Sequence, residues 1–320
     1  MSRPATALAV GAAAMLLAAC AQESTGNPED YPSRSIRLIS PFPAGSSNDT
    51  LARLYGKCVE TKLGQSVLVE NRGGGNGTIG MNEVIRAKPD GYTLAQATTS
   101  TGVIAPMLTP DAGYNAKSLV PIGATSTTPS VLLVSPTSPI TSLSQLISAD
   151  DHVVVATSGP ATSSGLNVKG LVDNYGLKAD QIAYGSLGEG QRGLAHGDYD
   201  LLVAPSGKPV VKAIRSGEVR VLAVTADHRP DYLAEVPTLA ELGYGAGQLP
   251  GPGIVTYWAA PSRTHPMVLD KLSRTLTTCT TDEQVLSVVG DNSPDPDLDG
   301  PHVAELLAET EKALVDLVRR

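Results

Sequence analysis

The sequence predicts an α/β protein of two lobes with a helical layer at its C-terminal end. Three observations carry that reading. Apolar strand-like runs alternate with amphipathic helical patterns, the turns between them are rich in Gly, Ser and Thr, and beyond residue 264 the alternation gives way to helical patterns alone. With 320 residues, 41% of them hydrophobic, the chain can fill two cores of ordinary size.

Strand-like segments fall at 35–41 (SIRLISP), 66–70 (SVLVE), 92–98 (YTLAQAT), 130–135 (SVLLVS), 152–157 (HVVVAT), 200–204 (DLLVA) and 219–225 (VRVLAVT). Helical patterns lie between them at 48–63, 78–88, 162–175, 187–196 and 208–217. Such alternation predicts mainly parallel sheets. The stretches 264–290 and 301–320 read as helices, the second with Val303, Leu306, Leu307, Leu314, Leu317 and Val318 on one face. A Pro/Asp-rich break, SPDPDLDGP at 293–301, separates them, and no repeat of fixed period is present.

A formal charge of -8 and an aromatic content of 4% leave neither the basic surface nor the stacking platforms of non-specific nucleic-acid binding. One long uncharged apolar run, at the N-terminus, excludes a multi-span membrane protein. Arg3 is the only charge before Glu23, and Ala7 to Ala19 form an Ala/Leu-rich run of signal-peptide length. The run ends in Leu17-Ala18-Ala19-Cys20, which resembles the bacterial lipobox. That resemblance implies a lipoprotein signal peptide at 1–19, lipidation of Cys20, and a polar tether at 20–30 holding the domain at the outer face of the cell membrane. An ordinary secretory signal with an incidental cysteine is the alternative. In an oxidising compartment Cys58 and Cys279 then remain as an even pair, for which a disulfide is the preferred reading. The helical pattern Leu51, Leu54, Cys58 also fits a buried small apolar residue.

Three turns could carry chemistry. Residues 41–49 (PFPAGSSND) follow the first strand and open a helix, aiming free N–H groups and hydroxyls at one point, which suits a carboxylate or phosphate. Ser47, Asn48 or Asp49 could equally be a helix cap. Residues 75–80 (GNGTIG) satisfy G-x-G-x-x-G, but the next strand ends Thr98-Thr99-Ser100-Thr101 without the acid that holds a ribose, so no cofactor is expected. Residues 157–165 (TSGPATSSG) again join a strand to a helix. Turns of this kind in both lobes suggest a ligand in the crevice between them. Catalysis finds no such support. His152, His196, His228, His265 and His302 are scattered outside any G-x-S-x-G or H-E-x-x-H pattern, and neither C-x-x-C nor a P-loop is present, so no metal site is expected.

The ordered strings YPSRSIRLISPFPAGSSNDTLARL (31–54), LGQSVLVENRGGGNGTIG (63–80), KPDGYTL (88–94), GLAHGDYDLL (193–202), SGEVRVLAVTADHR (216–229), VPTLAELGY (236–244) and YWAAPSRT (257–264) resemble the extracytoplasmic solute receptors of tripartite tricarboxylate transporters, often called Bug-type receptors. The resemblance covers about residues 31 to 290. It implies a type II periplasmic-binding-protein fold, with lobe 1 at 31–100 and 226–320, lobe 2 at 101–225, and crossings near Thr99–Thr101 and Thr225–Asp227. It further implies a monomer that captures a small di- or tricarboxylate and delivers it to multi-span permease subunits. By the same comparison the ligand is held by Phe42, Ala44, Gly45, Ser46, Ser47 and Asp49, by Gly77 and Thr78, and by Thr157, Ser158, Ser163 and Ser164, with Tyr184 on the pocket wall. The chain departs from the family pattern at Ser46, where Gly is common, and at Gly185-Ser186, where Lys-Gly is common. A receptor feeding a signalling partner and a secreted α/β hydrolase are the rival readings.

Overall fold

The described residues build two five-stranded sheets, each the centre of one lobe. A computed structural model describes residues 27–318 apart from 110, 252 and 296; the signal segment and Cys20 lie outside the described residues. In chain order the elements are β1 (Ile36–Ser40), α1 (Ser47–Leu63), β2 (Val67–Asn71), α2 (Thr78–Ile85), β3 (Thr93–Thr98), α3 (Ala105–Leu108) and β4 (Leu119–Thr128). Then follow β5 (Ser130–Val134), α4 (Leu143–Ile147), β6 (Val153–Thr157), α5 (Ser163–Tyr175), β7 (Ala179–Ala183), α6 (Leu187–His196), β8 (Leu201–Pro205), α7 (Lys208–Arg215) and β9 (Arg220–Thr225). The chain ends with β10 (Ile254–Pro261), α8 (Pro266–Thr280), α9 (Glu283–Val289) and α10 (Gly300–Val318).

The strand orders are β2-β1-β3-β10-β4 and β7-β6-β8-β5-β9. The expectation of mainly parallel sheets is corrected. In each sheet three neighbouring strands run parallel, while β10 lies antiparallel between β3 and β4, and β5 antiparallel between β8 and β9. The parallel triplets matter for function, because they bring the C-terminal ends of β1, β2 and β3, and of β6, β7 and β8, to one edge of each sheet. β1 shows why such strands form: Ile36 and Leu38 enter the core under α1 and α8, and Ile39 enters the core on the opposite face, so the strand is apolar on both sides.

The chain changes lobe later than expected at both crossings. β4 pairs with β10 and so keeps residues 119–128 in the first sheet, and the change comes at Pro129 instead of Thr99–Thr101. After β9 the chain stays on lobe 2: Ala226, Leu233 and Val236 pack into its core, and Thr238 bridges Val224. The return falls between Leu249, which packs on lobe 1, and the start of β10. Lobe 2 therefore spans about 130–248, and an antiparallel strand pair, not the turn after β3, sets its first boundary.

Three smaller differences have local causes. Residues 28–30 of the expected tether form a single 3-10 turn, after which Tyr31 is buried and donates its hydroxyl to the carbonyl of Gly91 at 2.7 Å. The 264–290 pattern is two helices, because Asp282 caps α9 by accepting from the Gln284 and Val285 amides. In α10, Val303, Leu307 and Leu314 are buried and Leu306 packs beside them, while the side chains of Leu317 and Val318 lie outside the described residues. Cys58 of α1 and Cys279 of α8 form a disulfide with Cα atoms 6.0 Å apart, inside the apolar core between the helices. Among the described residues no helix is long and apolar enough to cross a membrane.

Candidate ligand-binding cleft

The 41–49 turn is a frame built around Asp49. Ser46 caps α1, its hydroxyl accepting from the Asp49 amide at 3.2 Å, and the Asp49 carboxylate reaches back to the Gly45 amide at 2.9 Å. Asn71, at the end of β2, donates to the same carboxylate at 2.8 Å and to the Phe42 carbonyl at 3.1 Å. Arg53, one turn along α1, pairs with Asp49 at 3.1 Å. Burial alone would raise the Asp49 pKa, but the hydrogen bonds from Gly45, Arg53 and Asn71 outweigh it and hold the carboxyl below its usual value. Underneath, the fully buried Gln96 accepts from the Ser40 hydroxyl and donates to the Asn48 carbonyl.

This bonding sorts the expected residues of the turn. The Gly45 and Ser46 amides are spent on Asp49 and on the Pro43 carbonyl. The Ser46 hydroxyl and the Asp49 carboxylate are likewise turned inward. Ser47 and Asn48 stand at the first two helical positions, where an N–H has no acceptor within its own helix. Ala44 and Ser47 are exposed, and Phe42 is half-buried. Gly77 packs the second turn against the first: at φ +91° a Cβ there would come within 2.7 Å of Thr101 Cγ2 and 3.4 Å of Pro41 Cβ, so only Gly fits. The neighbouring Thr78 hydroxyl donates to the Gly75 carbonyl.

In lobe 2 the 157–165 turn carries no charge. Thr162 caps α5. The Ser164 hydroxyl is the hub, 2.9 Å from Ser158 Oγ, 3.0 Å from Thr162 Oγ1, and accepting from the Ser158 amide at 3.2 Å. The Thr157 hydroxyl accepts from the Gly159 amide. From the end of β7, Tyr184 donates to Ser158 Oγ at 3.4 Å, and burial raises its pKa, so the phenol stays neutral. Ser158 alone of the four turn residues is exposed; Thr157, Ser163 and Ser164 are buried. Gly165 presses the start of α5 onto the turn, since a Cβ there would lie 2.2 Å from the Gly159 carbonyl oxygen. Gly185-Ser186 starts another helix: Ser186 caps α6 and Glu189 accepts from the Gly185 amide.

The lobes meet beside the crossing strands. Thr99, just beyond β3, and Ser163, at the start of α5, line one cavity of about 10 Å³ together with Ser130, Asn167 and Thr225. That is room for one water. Leu166 of α5 packs among Val103, Ile104 and Val255 of lobe 1. Asn71, Gln96 and Asn167 escape sequence reasoning, although a polar residue ending an apolar run, as in VLVEN, is a usable signal. Of the histidines, His152 faces Asp180, His265 caps α8 and His302 contacts Asp299. Among the described residues no cluster of His, Cys, Asp or Glu could hold a metal ion.

What the arrangement offers is two helix N-termini, α1 and α5, each with two amides lacking intrahelical acceptors and each flanked by hydroxyls. A small anion fits such a surface. Comparison with known proteins agrees. Residues 51–315 match the family described as "Tripartite tricarboxylate transporter family receptor". A UPF0065 protein of Bordetella bronchiseptica is 35% identical over 262 residues, covering 81% of this chain and 77% of its own. Among solved structures, MatC of Rhodopseudomonas palustris with bound malate is 26% identical, with a TM-score of 0.74, covering 90% of this chain and 100% of its own. Rpa4515 of the same organism, with adipate, is 25% identical, with a TM-score of 0.72, covering 90% and 98%. The chain therefore belongs to the tripartite tricarboxylate transporter family of receptors, which bind solutes and are not enzymes.

Proposed function

We propose that this protein is an extracytoplasmic, lipid-anchored receptor that captures a small di- or tricarboxylate between its lobes and delivers it to multi-span permease subunits. The observation that carries the reading is the pair of helix N-termini, at Ser47–Asn48 and at Ser163–Ser164, on edges of two sheets that meet at the crossing strands. One carboxylate end would lie on the lobe 1 amides beside Phe42, Ala44, Ser47 and Thr78. The other would meet Ser158, Ser164 and the Tyr184 ring. Malate in MatC and adipate in Rpa4515 are acids of the size and charge this arrangement suits. The net charge of -8 is no obstacle, because fixed amide dipoles act at contact range where bulk charge is screened.

Closure follows from the ligand touching both lobes, since only differential affinity for the closed form shifts an open/closed equilibrium. Cys20 as a lipidated N-terminus would keep the captured acid at the membrane surface, where the permease is. Isothermal titration of the folded mature protein against malate, adipate, citrate, aromatic acids and amino acids tests the ligand class. Saturable binding of one or more of the di- or tricarboxylates is expected. Silence across that group, or binding of amino acids alone, overturns it. Replacing Cys20 by Ala should move the protein from the membrane fraction to the soluble fraction.

A further inference from the structure

The anion-binding turn of lobe 1 is held in shape by a side chain that lies outside it. We propose that Asn71 is the positioning residue of this turn, a single carboxamide that ties the Phe42 carbonyl to the buried Asp49 carboxylate and so sets the direction of the Ser47 and Asn48 amides. The inference rests on the carboxylate-receptor reading given above.

The hydrogen-bond capacity of Asn71 is spent on this task. One carboxamide N–H serves the Phe42 carbonyl at 3.1 Å, the other serves Asp49 Oδ1 at 2.8 Å, and its oxygen accepts from Arg53 at 3.1 Å. Phe42 lies near the start of the turn and Asp49 at its end, so one planar group fixes the span between them. Strand register delivers it there: Asn71 is paired with Ser40, the last residue before the turn, in the parallel β1–β2 ladder. Asp49, only 4% exposed, accepts from the Gly45 amide, from Arg53 and from Asn71, which leaves it no free face toward a ligand. It belongs to the frame and not to the contact surface. Gly45, at φ +80° with no atom within 4 Å of a Cβ, has nothing packed on its outer side to hold it if that frame loosens.

Removing the carboxamide leaves the Phe42 carbonyl and Asp49 Oδ1 each short of a donor, and the cheapest relief is for the turn to rotate toward solvent. An Asp at this position would set a second carboxylate against Asp49. In contrast, a cavity elsewhere in the same core, such as Val59→Ala, lowers stability without touching the turn.

The test uses the mature protein and its Asn71→Ala, Asn71→Asp and Val59→Ala variants, with hydrogen-exchange mass spectrometry of peptides spanning 42–49 and titration with malate and adipate. Asn71→Ala should speed exchange in 42–49 roughly tenfold and weaken whichever acid binds by roughly tenfold, Asn71→Asp by more. Val59→Ala should lower Tm by a comparable amount while both readouts stay at the wild-type level. Exchange and affinity within about twofold of wild type in Asn71→Ala, or the same losses in Val59→Ala, would overturn the proposal. If the wild-type protein binds neither acid, the carboxylate reading fails, and exchange in 42–49 still decides the role of Asn71.

Discussion

The two turns proposed to bind the ligand are built with different chemistry. In lobe 1 the amides at the start of α1 are aimed by a buried carboxylate, an arginine and a carboxamide. In lobe 2 the start of α5 is aimed by neutral hydroxyls centred on Ser164, with Gly165 pressed on the Gly159 carbonyl. A charged frame fixes one geometry, because the Gly45, Arg53 and Asn71 donors converge on one carboxylate. Hydroxyls can rotate and exchange donor for acceptor roles, so the lobe 2 turn can adjust its polarity to a ligand. The same contrast extends outward: lobe 1 carries the Cys58–Cys279 disulfide and the Arg37–Glu70–Glu83–Arg72 ion-pair cluster, whereas the lobe 2 turn is bordered by neutral groups, the Tyr184 hydroxyl and the Gln181 carboxamide that donates to the Gly165 carbonyl. Lobe 1 reads as the rigid half of the receptor and lobe 2 as the adaptable half.

Experiments can break this contrast, starting with the largest effect. Replacing Cys58 and Cys279 by Ser should cost about 2–5 kcal/mol, since the bridge closes a long loop. Hydrogen exchange should rise in lobe 1 and stay constant in lobe 2; equal rises in both would show that the lobes do not differ as described. Gly165→Ala should cost about 1–3 kcal/mol and abolish carboxylate binding, because the new methyl meets backbone and not a movable side chain. Melting and titration of that variant check it. Ser164→Ala should cost about 1 kcal/mol and weaken binding less than Asn71→Ala does, as the remaining hydroxyls re-pair.

The smallest effect is on pH. The folded Asp49 pKa is lowered, so the stability it contributes is fully present above its unfolded value, about 3.9, and is lost as pH falls through the folded value. Binding measured from pH 8 down to 5 should therefore not change through this group, and should weaken only below about pH 4. A loss between pH 5 and 7 would report a group other than Asp49, the ligand's own carboxyls included.

How much of this was legible in the sequence varied with the physics of each element. β1, β6 and β8 are apolar on both faces and flanked by Gly or Ser turns, so their pattern announces them. β4 (LVPIGATSTT) hides behind Pro, Gly and Thr, and β7 (ADQIA) is an exposed edge strand without an apolar face. Missing β4 and β10 misplaced the lobe boundary and made the sheets look more parallel than they are. The turns proposed to bind the ligand are visible because their residues are contiguous. Their supports were not: Asn71 and Gln96 act on residues far back in the chain, through strand register that no local pattern records. The Ser46 departure likewise changes meaning, from a hydroxyl offered to the ligand to a helix cap.

The most direct test of the whole account is a crystal structure of the mature protein with its tightest-binding dicarboxylate. The account predicts one carboxylate hydrogen-bonded to the Ser47 and Asn48 amides, the other in reach of Ser158, Ser164 or Tyr184, and Asp49 still bonded to Gly45 and Asn71. An acid held by arginine or lysine side chains, or seated away from both turns, would contradict it.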